Sequence, residues 1–229
     1  MIQITKKALI AGRIYSIADL NDAQIAFSAI DIKSKVPILV IDDQGFEHTE
    51  RLRDEGYNLK CIKRIDDLKA ASEYPIVICD IKGVGTQYDA EKGGLEVVRN
   101  LKKMYPFKQY AVYSGNDYLL EELDGLEGVS RIPKSTDFNT WMSYFDVLIE
   151  NAASPIENWK TIRTFMLNKD VSLLEVLKME NSYVYTYLNN RSNIRFFPDK
   201  KEFPNLNDDI RAVINGVIAA VISKLIIGI

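Results

Sequence analysis

The stretches VPILVIDDQG at residues 36–45 and YPIVICDIKG at residues 74–83 decide the fold. Each contains a run of apolar residues rich in Ile and Val, and each run ends in aspartate: Asp42 with Asp43, and Asp80. Apolar runs without alternation are typical of parallel strands that are covered on both faces. In an open α/β sheet, ligands bind at the carboxyl ends of such strands. The two stretches therefore predict three carboxylates at one edge of a buried parallel sheet.

The chain between residues 36 and 150 alternates between strand-like and helix-like patterns. Strands are predicted at 37–41, 59–62, 76–79, 109–113 and 128–132, and helices at 46–55, 66–71, 95–104, 118–123 and 138–151. Strands that alternate with helices indicate a parallel sheet with right-handed crossovers. We therefore expect an α/β fold for this part of the chain.

The flanks have a different pattern. A helix is predicted to begin at Asn21 or Asp22, and another at Ser154, where Pro155 is well suited to the first helical position. Residues 191–209 are rich in polar residues and read as a loop before a last helix. We expect three regions: an N-terminal helical extension at 1–35, the α/β domain at 36–153, and a helical C-terminal region at 154–229 that ends in an apolar helix.

The composition argues against two kinds of site, a nucleic-acid surface and a zinc site. The chain has 229 residues, 47% hydrophobic and 27% charged, with a net charge of −3, which gives no sign of a nucleic-acid surface. Cys61 and Cys79 lie in apolar runs and form no CxxC pattern, so we expect reduced thiols in a cytoplasmic protein and no zinc site. The single histidine, His48, lies in a polar stretch and is predicted to be on the surface.

The segment IRAVINGVIAAVISKLIIGI at residues 210–229 is apolar nearly all round a helix. Such a helix is buried in protein or in lipid, and its length just suffices to span a bilayer. Gly216 and Ala220 have the spacing of close helix pairing. We favour a buried helix or an interface in a homo-oligomer, and membrane association through residues 210–229 is the alternative.

Two further polar residues follow predicted strands and belong to the same sheet edge. Ser114 follows the strand at 109–113, and Lys134 follows the strand at 128–132. With the three aspartates they would bring carboxylates, a hydroxyl and an ammonium into one pocket. Carboxylates suit Mg²⁺, and an ammonium suits the oxygens of a phosphoryl group. This combination favours a site for Mg²⁺ and a phosphoryl group.

The order of these residues resembles the receiver domain of two-component response regulators, over roughly residues 36–150. In that family an acidic pair ends the first strand, an aspartate ends the third, Ser or Thr ends the fourth, and Lys follows the fifth. The segment GGLEVVRNLKK at residues 93–103 is similar to a family helix with its leading glycine. The resemblance implies a flavodoxin-like, five-stranded parallel sheet of order 2-1-3-4-5, here with appended helices.

The resemblance also implies roles for the polar residues. Asp80 would accept the phosphoryl group, Lys134 would neutralise its oxygens, and Ser114 would donate a hydrogen bond to it. The implied ligands of Mg²⁺ are Asp42, Asp43, Asp80 and, through its backbone carbonyl, Lys82.

The expected function is that of an atypical response regulator. Its donor would be a histidine kinase or a phosphotransfer protein, and its helical flanks would signal through protein contacts. It would not be an enzyme beyond phosphorylating itself from a donor and dephosphorylating itself. The alternative is a receiver-like scaffold that acts without phosphorylation and uses its C-terminal helix for oligomerisation or membrane association. A magnesium-dependent phosphohydrolase is disfavoured because Lys82 occupies the position where such enzymes need a second aspartate.

Three features depart from the family. The loop after Asp80 is long and contains several glycines, so we expect it to gate the pocket. Lys82 adds a cation beside the site, which would pair with Asp80, partly replace Mg²⁺, shield the acyl phosphate from water, or simply be solvated. Arg131 replaces the aromatic residue usual three positions before the Lys, so the output surface is expected to work differently.

Overall fold

The protein is described by a computed structural model that covers residues 13–21, 32–90, 92–115, 126–189, 194 and 197–218. The chain divides into two compact units. One unit is residues 32–152, and the other combines residues 1–31 with residues 153–229.

A five-stranded, entirely parallel sheet forms the centre of the first unit. The strands are β1 (Ile38–Ile41), β2 (Leu59–Ile62), β3 (Ile76–Asp80), β4 (Gln109–Ser114) and β5 (Ser130–Pro133). Their spatial order is β2-β1-β3-β4-β5, and every neighbouring pair is parallel. The predicted α/β, flavodoxin-like fold of order 2-1-3-4-5 is therefore confirmed.

The strands carry apolar side chains on both faces, as the unbroken apolar runs predict. On one face, β1 contributes Ile38 and Val40 to a core cluster, and β4 contributes Ala111 and Tyr113. The alternate residues of the same strands, such as Leu39 and Val112, belong to a second cluster on the opposite face. Since side chains alternate along a strand, the residue after each strand has a fixed face as well.

Helices cover both faces of the sheet in this unit. They are α1 (Thr49–Asp54), α2 (Gly93–Met104) and α3 (Phe138–Ala153), with one 3-10 turn at Leu68–Ala71. The helix predicted at 66–71 is thus only a short 3-10 turn, which Asp67 caps by accepting a hydrogen bond from the backbone of Lys69. The helix predicted at 118–123 lies outside the described residues.

The prediction that His48 lies on the surface is wrong. Its side chain is 13% exposed, and its ring contacts Phe46, Phe138 and Trp141. The polar neighbours in sequence suggested a surface position. They face solvent, whereas the imidazole turns towards the aromatic residues of α3 and of the loop before α1.

The second unit is helical. It contains a 3-10 turn (Ile17–Leu20), α4 (Pro155–Asn168), α5 (Leu173–Asn189) and α6 (Asp208–Val217). Ser154 caps α4 by accepting a hydrogen bond from the backbone of Glu157. The N-terminal segment is tied to α5 by Glu180, whose carboxylate accepts hydrogen bonds from the backbone of Ile17 (3.1 Å) and the indole of Trp159 (2.9 Å).

Two predictions fall partly or wholly on residues that the structure does not describe. The helix predicted from residue 21 or 22 to residue 30 lies almost entirely outside the described residues. Of the apolar segment 210–229, residues 219–229 also lie outside them. Within the described part of the chain, no helix combines the length and the apolar character needed to cross a membrane.

Candidate functional site

Asp42, Asp80 and Tyr113 form a row on one face of the sheet at its carboxyl edge. Asp80 and Tyr113 are register partners on β3 and β4. Ile41 is the register partner of Cys79, so Asp42, the next residue, lies level with Asp80. The parallel register therefore places three polar groups from three adjacent strands side by side above one apolar cluster.

Asp42 is buried and held by the protein itself. Its side chain is 1% exposed. Oδ1 accepts hydrogen bonds from the backbone N–H groups of Gln44 (2.9 Å) and Gly45 (3.1 Å). Oδ2 accepts one from the hydroxyl of Tyr113 at 2.5 Å. Three donors thus compensate the burial of this carboxylate.

Asp43 is the more accessible member of the acidic pair. The side-chain amide of Gln44 donates a hydrogen bond to Oδ2 of Asp43 at 2.6 Å. Gly83 lies so close that a Cβ added there would be 2.3 Å from Oδ1 of Asp43. Gly83 also has φ +85°, a conformation that favours glycine. The backbone of the loop after β3 therefore packs directly on this carboxylate.

Asp80 forms an ion pair with Lys134 at the centre of the site. The Nζ of Lys134 donates to Oδ2 of Asp80 at 2.9 Å and lies 4.0 Å from Oδ2 of Asp42. The side chain of Asp80 is 5% exposed and that of Lys134 is 43% exposed. Among the described residues, Oδ1 of Asp80 accepts only a long hydrogen bond, of 3.3 Å, from the backbone N–H of Lys82.

The electrostatics of the pair follow from its burial. Burial raises the pKa of the Asp80 carboxyl above its ordinary value, although the hydrogen bond from Lys134 opposes that rise. For Lys134, burial acts to lower the pKa, but the hydrogen bond with Asp80 and the nearby Asp42 and Asp43 raise it overall. Lys134 is therefore positively charged at neutral pH and lies beside the carboxylate cluster of Asp42, Asp43 and Asp80.

Ser114 is the last residue of β4 and is 2% exposed. Its register partner is Pro133, and its carbonyl accepts a hydrogen bond from the backbone N–H of Lys134 at 2.8 Å. The ends of β4 and β5 therefore bring Ser114 and Lys134 to the same edge as the aspartates. All five predicted site residues thus lie at the carboxyl edge of the sheet.

The carboxylates fit a divalent cation. Asp42, Asp43 and Asp80 each offer one oxygen, and these oxygens lie within 4.8 Å of one another. An all-oxygen donor set with one accessible member suits Mg²⁺, which keeps several of its own waters. Because Asp42 already accepts three hydrogen bonds, Asp43 and Asp80 are the carboxylates best able to contact an ion directly.

The loop after Asp80 is packed into the protein at its start. Ile81 and Val84 are fully buried in the core, and a Cβ on Gly85 would lie 2.6 Å from the carbonyl oxygen of Gly93. These residues of the loop are therefore fixed by packing, and gating by the exposed residues 86–90 stays a prediction. The side chain of Lys82 is exposed, and in the described part of the chain it forms no ion pair with Asp80. Its predicted roles beside Mg²⁺ and the acyl phosphate stay predictions.

Sequence reasoning missed Tyr113. Its ring is fully buried and makes edge contacts with Phe46 and Trp141, with centroids 5.7 Å and 5.5 Å apart. Burial and the nearby Asp42 raise the pKa of its hydroxyl. A signal was available, because a tyrosine directly before Ser114 must share the face of Asp80 once the strands are aligned. Arg131 is exposed, so β5 supplies no aromatic residue here.

The comparisons with known proteins give the following. No family model and no curated protein matches the sequence. A solved response regulator protein from Burkholderia pseudomallei, with a phosphorylated aspartic acid, calcium ion and citrate, is similar at 17% identity and a TM-score of 0.38, over 67% of this chain and 92% of that chain. A fusion containing amino acids 181–211 of the yeast Spc42 trimeric coiled coil is similar at 12% identity and a TM-score of 0.38, over 67% and 96%. At these TM-scores neither likeness adds to what the sheet order itself shows.

Proposed function

We propose that this protein is an atypical response regulator that accepts a phosphoryl group on Asp80. The observation that supports this most is the Asp80–Lys134 ion pair, set beside Asp42 and Asp43 at one sheet edge. A carboxylate nucleophile, a cation for the phosphoryl oxygens and a divalent-ion site are the parts that phosphoryl transfer to a carboxylate requires.

The transfer uses the oxygen of Asp80 that is not paired with Lys134. Oδ1 of Asp80, which accepts a long hydrogen bond of 3.3 Å from the backbone N–H of Lys82, attacks the phosphorus of the donor. The new O–P bond forms as the bond from phosphorus to the donor's leaving group breaks, and that group leaves with the electron pair. The donor is a phosphohistidine of a kinase or phosphotransfer protein, or a small acyl phosphate.

The other residues of the site stabilise the negative charge of the transferred phosphoryl group. Lys134 lies 2.9 Å from Oδ2 of Asp80, so its Nζ can follow the phosphoryl oxygens with a short movement. Ser114, at the neighbouring strand end, donates a hydrogen bond to the transferred group. Asp43 and Asp80 would hold Mg²⁺, with Asp42 and the backbone carbonyl of Lys82 nearby, and the ion would neutralise charge on the phosphoryl group.

The test is intact-mass analysis of the full chain after incubation with Mg²⁺ and acetyl phosphate. The expected result is a mass gain of one phosphoryl group that is labile to base and absent in Asp80→Asn. Asp89→Asn is the matched control, because Asp89 is an exposed aspartate of the following loop. Labelling that persists in Asp80→Asn, or none in the wild type, would contradict the proposal.

The alternative is a receiver-like scaffold that works without phosphorylation. It is favoured by three exposed leucines on α5, a helix of the second unit. Leu173 is 55% exposed, Leu174 is 47% exposed and Leu177 is 49% exposed. Such side chains suit a protein partner or a second copy. This alternative predicts that Asp80→Asn keeps every cellular output, whereas replacing the three leucines by serine abolishes it.

A further inference from the structure

Tyr113 contacts both the polar site and the aromatic residues beneath it. Its hydroxyl donates to Oδ2 of Asp42 at 2.5 Å, and Nζ of Lys134 lies 5.6 Å from the centre of its ring. The same ring meets Trp141 edge-on, at an interplanar angle of 89° and a centroid distance of 5.5 Å. It meets Phe46 at 5.7 Å, and Phe46 meets Trp141 at 4.9 Å. One buried side chain thus contacts two charged site residues and two aromatic residues.

Both polar contacts of Tyr113 depend on the charge at the site. Oδ2 of Asp42 lies 4.0 Å from Nζ of Lys134, and the same oxygen accepts the hydrogen bond from the hydroxyl of Tyr113. When Lys134 moves towards a phosphoryl group, or when positive charge collects between the carboxylates, the attraction on this oxygen changes. The hydroxyl of Tyr113 must then follow Asp42 or lose its acceptor.

The aromatic neighbours of Tyr113 must shift when its ring moves. Tyr113, Trp141 and Phe145 are at most 1% exposed, and protein interiors are packed too densely for one ring to shift alone. Trp141 and Phe145 both belong to α3. A displacement of the Tyr113 ring therefore acts on the packing of α3 against the sheet.

We infer that Tyr113 transmits the occupancy of the carboxylate site to α3, through its hydrogen bond to Asp42 and its ring contact with Trp141. This inference rests on the proposed function, since it concerns how that site is read out. It assigns the coupling to a residue on β4, inside the sheet, in a chain whose β5 carries the exposed Arg131 instead of an aromatic residue.

The experiment follows two signals while Mg²⁺ is added to the full chain, first alone and then with acetyl phosphate. Calorimetry and intact mass report binding and labelling, and tryptophan emission reports the packing around Trp141. Tyr113→Phe removes the hydroxyl and keeps the ring. Tyr110→Phe is the matched control: Tyr110 lies on the opposite face of the same strand, is 3% exposed, and donates its hydroxyl to the carbonyl of Tyr105 at 2.9 Å.

We expect the wild type and Tyr110→Phe to change their emission with the same midpoint as binding. In Tyr113→Phe the emission change is expected to be lost, while Mg²⁺ binds at least as tightly as before. A gain of up to about tenfold is expected, because a hydrogen bond to Asp42 no longer opposes binding and coupling between sites is reciprocal. Trp141→Phe is expected to lose the signal too, which assigns it to that residue and not to Trp159.

Three outcomes would overturn the inference. The first is a full emission change in Tyr113→Phe at the wild-type midpoint, and the second is Mg²⁺ binding weakened more than about tenfold, which would make Tyr113 a support for the ligands. The third is a signal that survives in Trp141→Phe. If Trp141→Phe does not fold, the near-ultraviolet tyrosine difference spectrum of the wild type and Tyr113→Phe decides the same question. Failure of the wild type to bind Mg²⁺ or to be labelled would instead refute the proposed function, and this inference with it.

Discussion

Replacing Gly83 by alanine separates the geometry of the site from the stability of the fold. Gly83 has φ +85°, and the added Cβ would lie 2.3 Å from Oδ1 of Asp43. Gly56, in the turn after α1, has φ +88° and nothing within 4 Å of an added Cβ. Gly56→Ala is therefore a control with the same backbone strain and no collision.

The two costs can be worked out separately. Alanine in this left-handed region costs about 1–2 kcal/mol, so both variants are expected to lose that much free energy of unfolding. In Gly83→Ala the Asp43 carboxylate must also retreat by at least about 0.7 Å to restore a 3.0 Å contact, and Mg²⁺ demands oxygen distances near about 2.0–2.1 Å. Because the carboxylate is the end of a flexible side chain, its retreat costs little stability but removes it from the site.

Denaturant unfolding and Mg²⁺ calorimetry measure the two effects. Gly83→Ala is expected to unfold like Gly56→Ala but to bind Mg²⁺ at least about tenfold more weakly than the wild type, and Gly56→Ala is expected to bind normally. An unchanged Mg²⁺ affinity in Gly83→Ala would refute the reasoning, since the ion would then not depend on the position of Asp43.

Two further predictions concern stability away from the site. Burial lowers the pKa of Lys108 from 10.5 to about 8, so between these values the folded protein binds fewer protons than the unfolded chain, and the free energy of unfolding should rise with pH by up to about 3 kcal/mol. Lys108→Met should lack this rise in pH-dependent denaturant titrations, and an identical pH profile would contradict the assignment. Glu180→Gln leaves one carbonyl oxygen for the two donors on Ile17 and Trp159, so we expect a loss of about 1–3 kcal/mol and faster hydrogen exchange at the Ile17 amide. Unchanged exchange at Ile17 would show that other contacts hold residues 13–21.

The sheet was predictable because its evidence is local. The runs before Asp42 and Asp80 are apolar without interruption, and such runs need two covered faces wherever they occur. The polar residue at the end of each run then lies at the carboxyl edge of the sheet. The same rule predicted that Ser114 and Lys134, which also follow strands, lie at that edge. Small errors arose at boundaries: β5 was expected from residue 128, but Gly128 has φ +77° and belongs to the turn before the strand.

The inner structure of the site was not predictable in the same way. The hydrogen bond from Tyr113 to Asp42 joins residues 71 positions apart and depends on the register of three strands. The contact of Gly83 with Asp43 depends on how a loop packs after the strands have formed. The sequence marks which residue types gather at the edge, whereas the contacts between them depend on packing that no local pattern encodes.

Gly94, at the start of α2, has a consequence for how a mutational survey of this protein would be understood. A Cβ at this position would lie 2.0 Å from the carbonyl oxygen of Asp80, a fixed backbone atom that cannot turn away. Every substitution there would push the backbone that carries Asp80, the proposed phosphoryl acceptor, although Gly94 itself offers no chemical group. A survey scored by activity alone would therefore rank Gly94 with Asp80 and Lys134. Only a parallel measurement of the amount of folded protein would distinguish Gly94, which shapes the sheet edge, from the two residues proposed to act on the phosphoryl group.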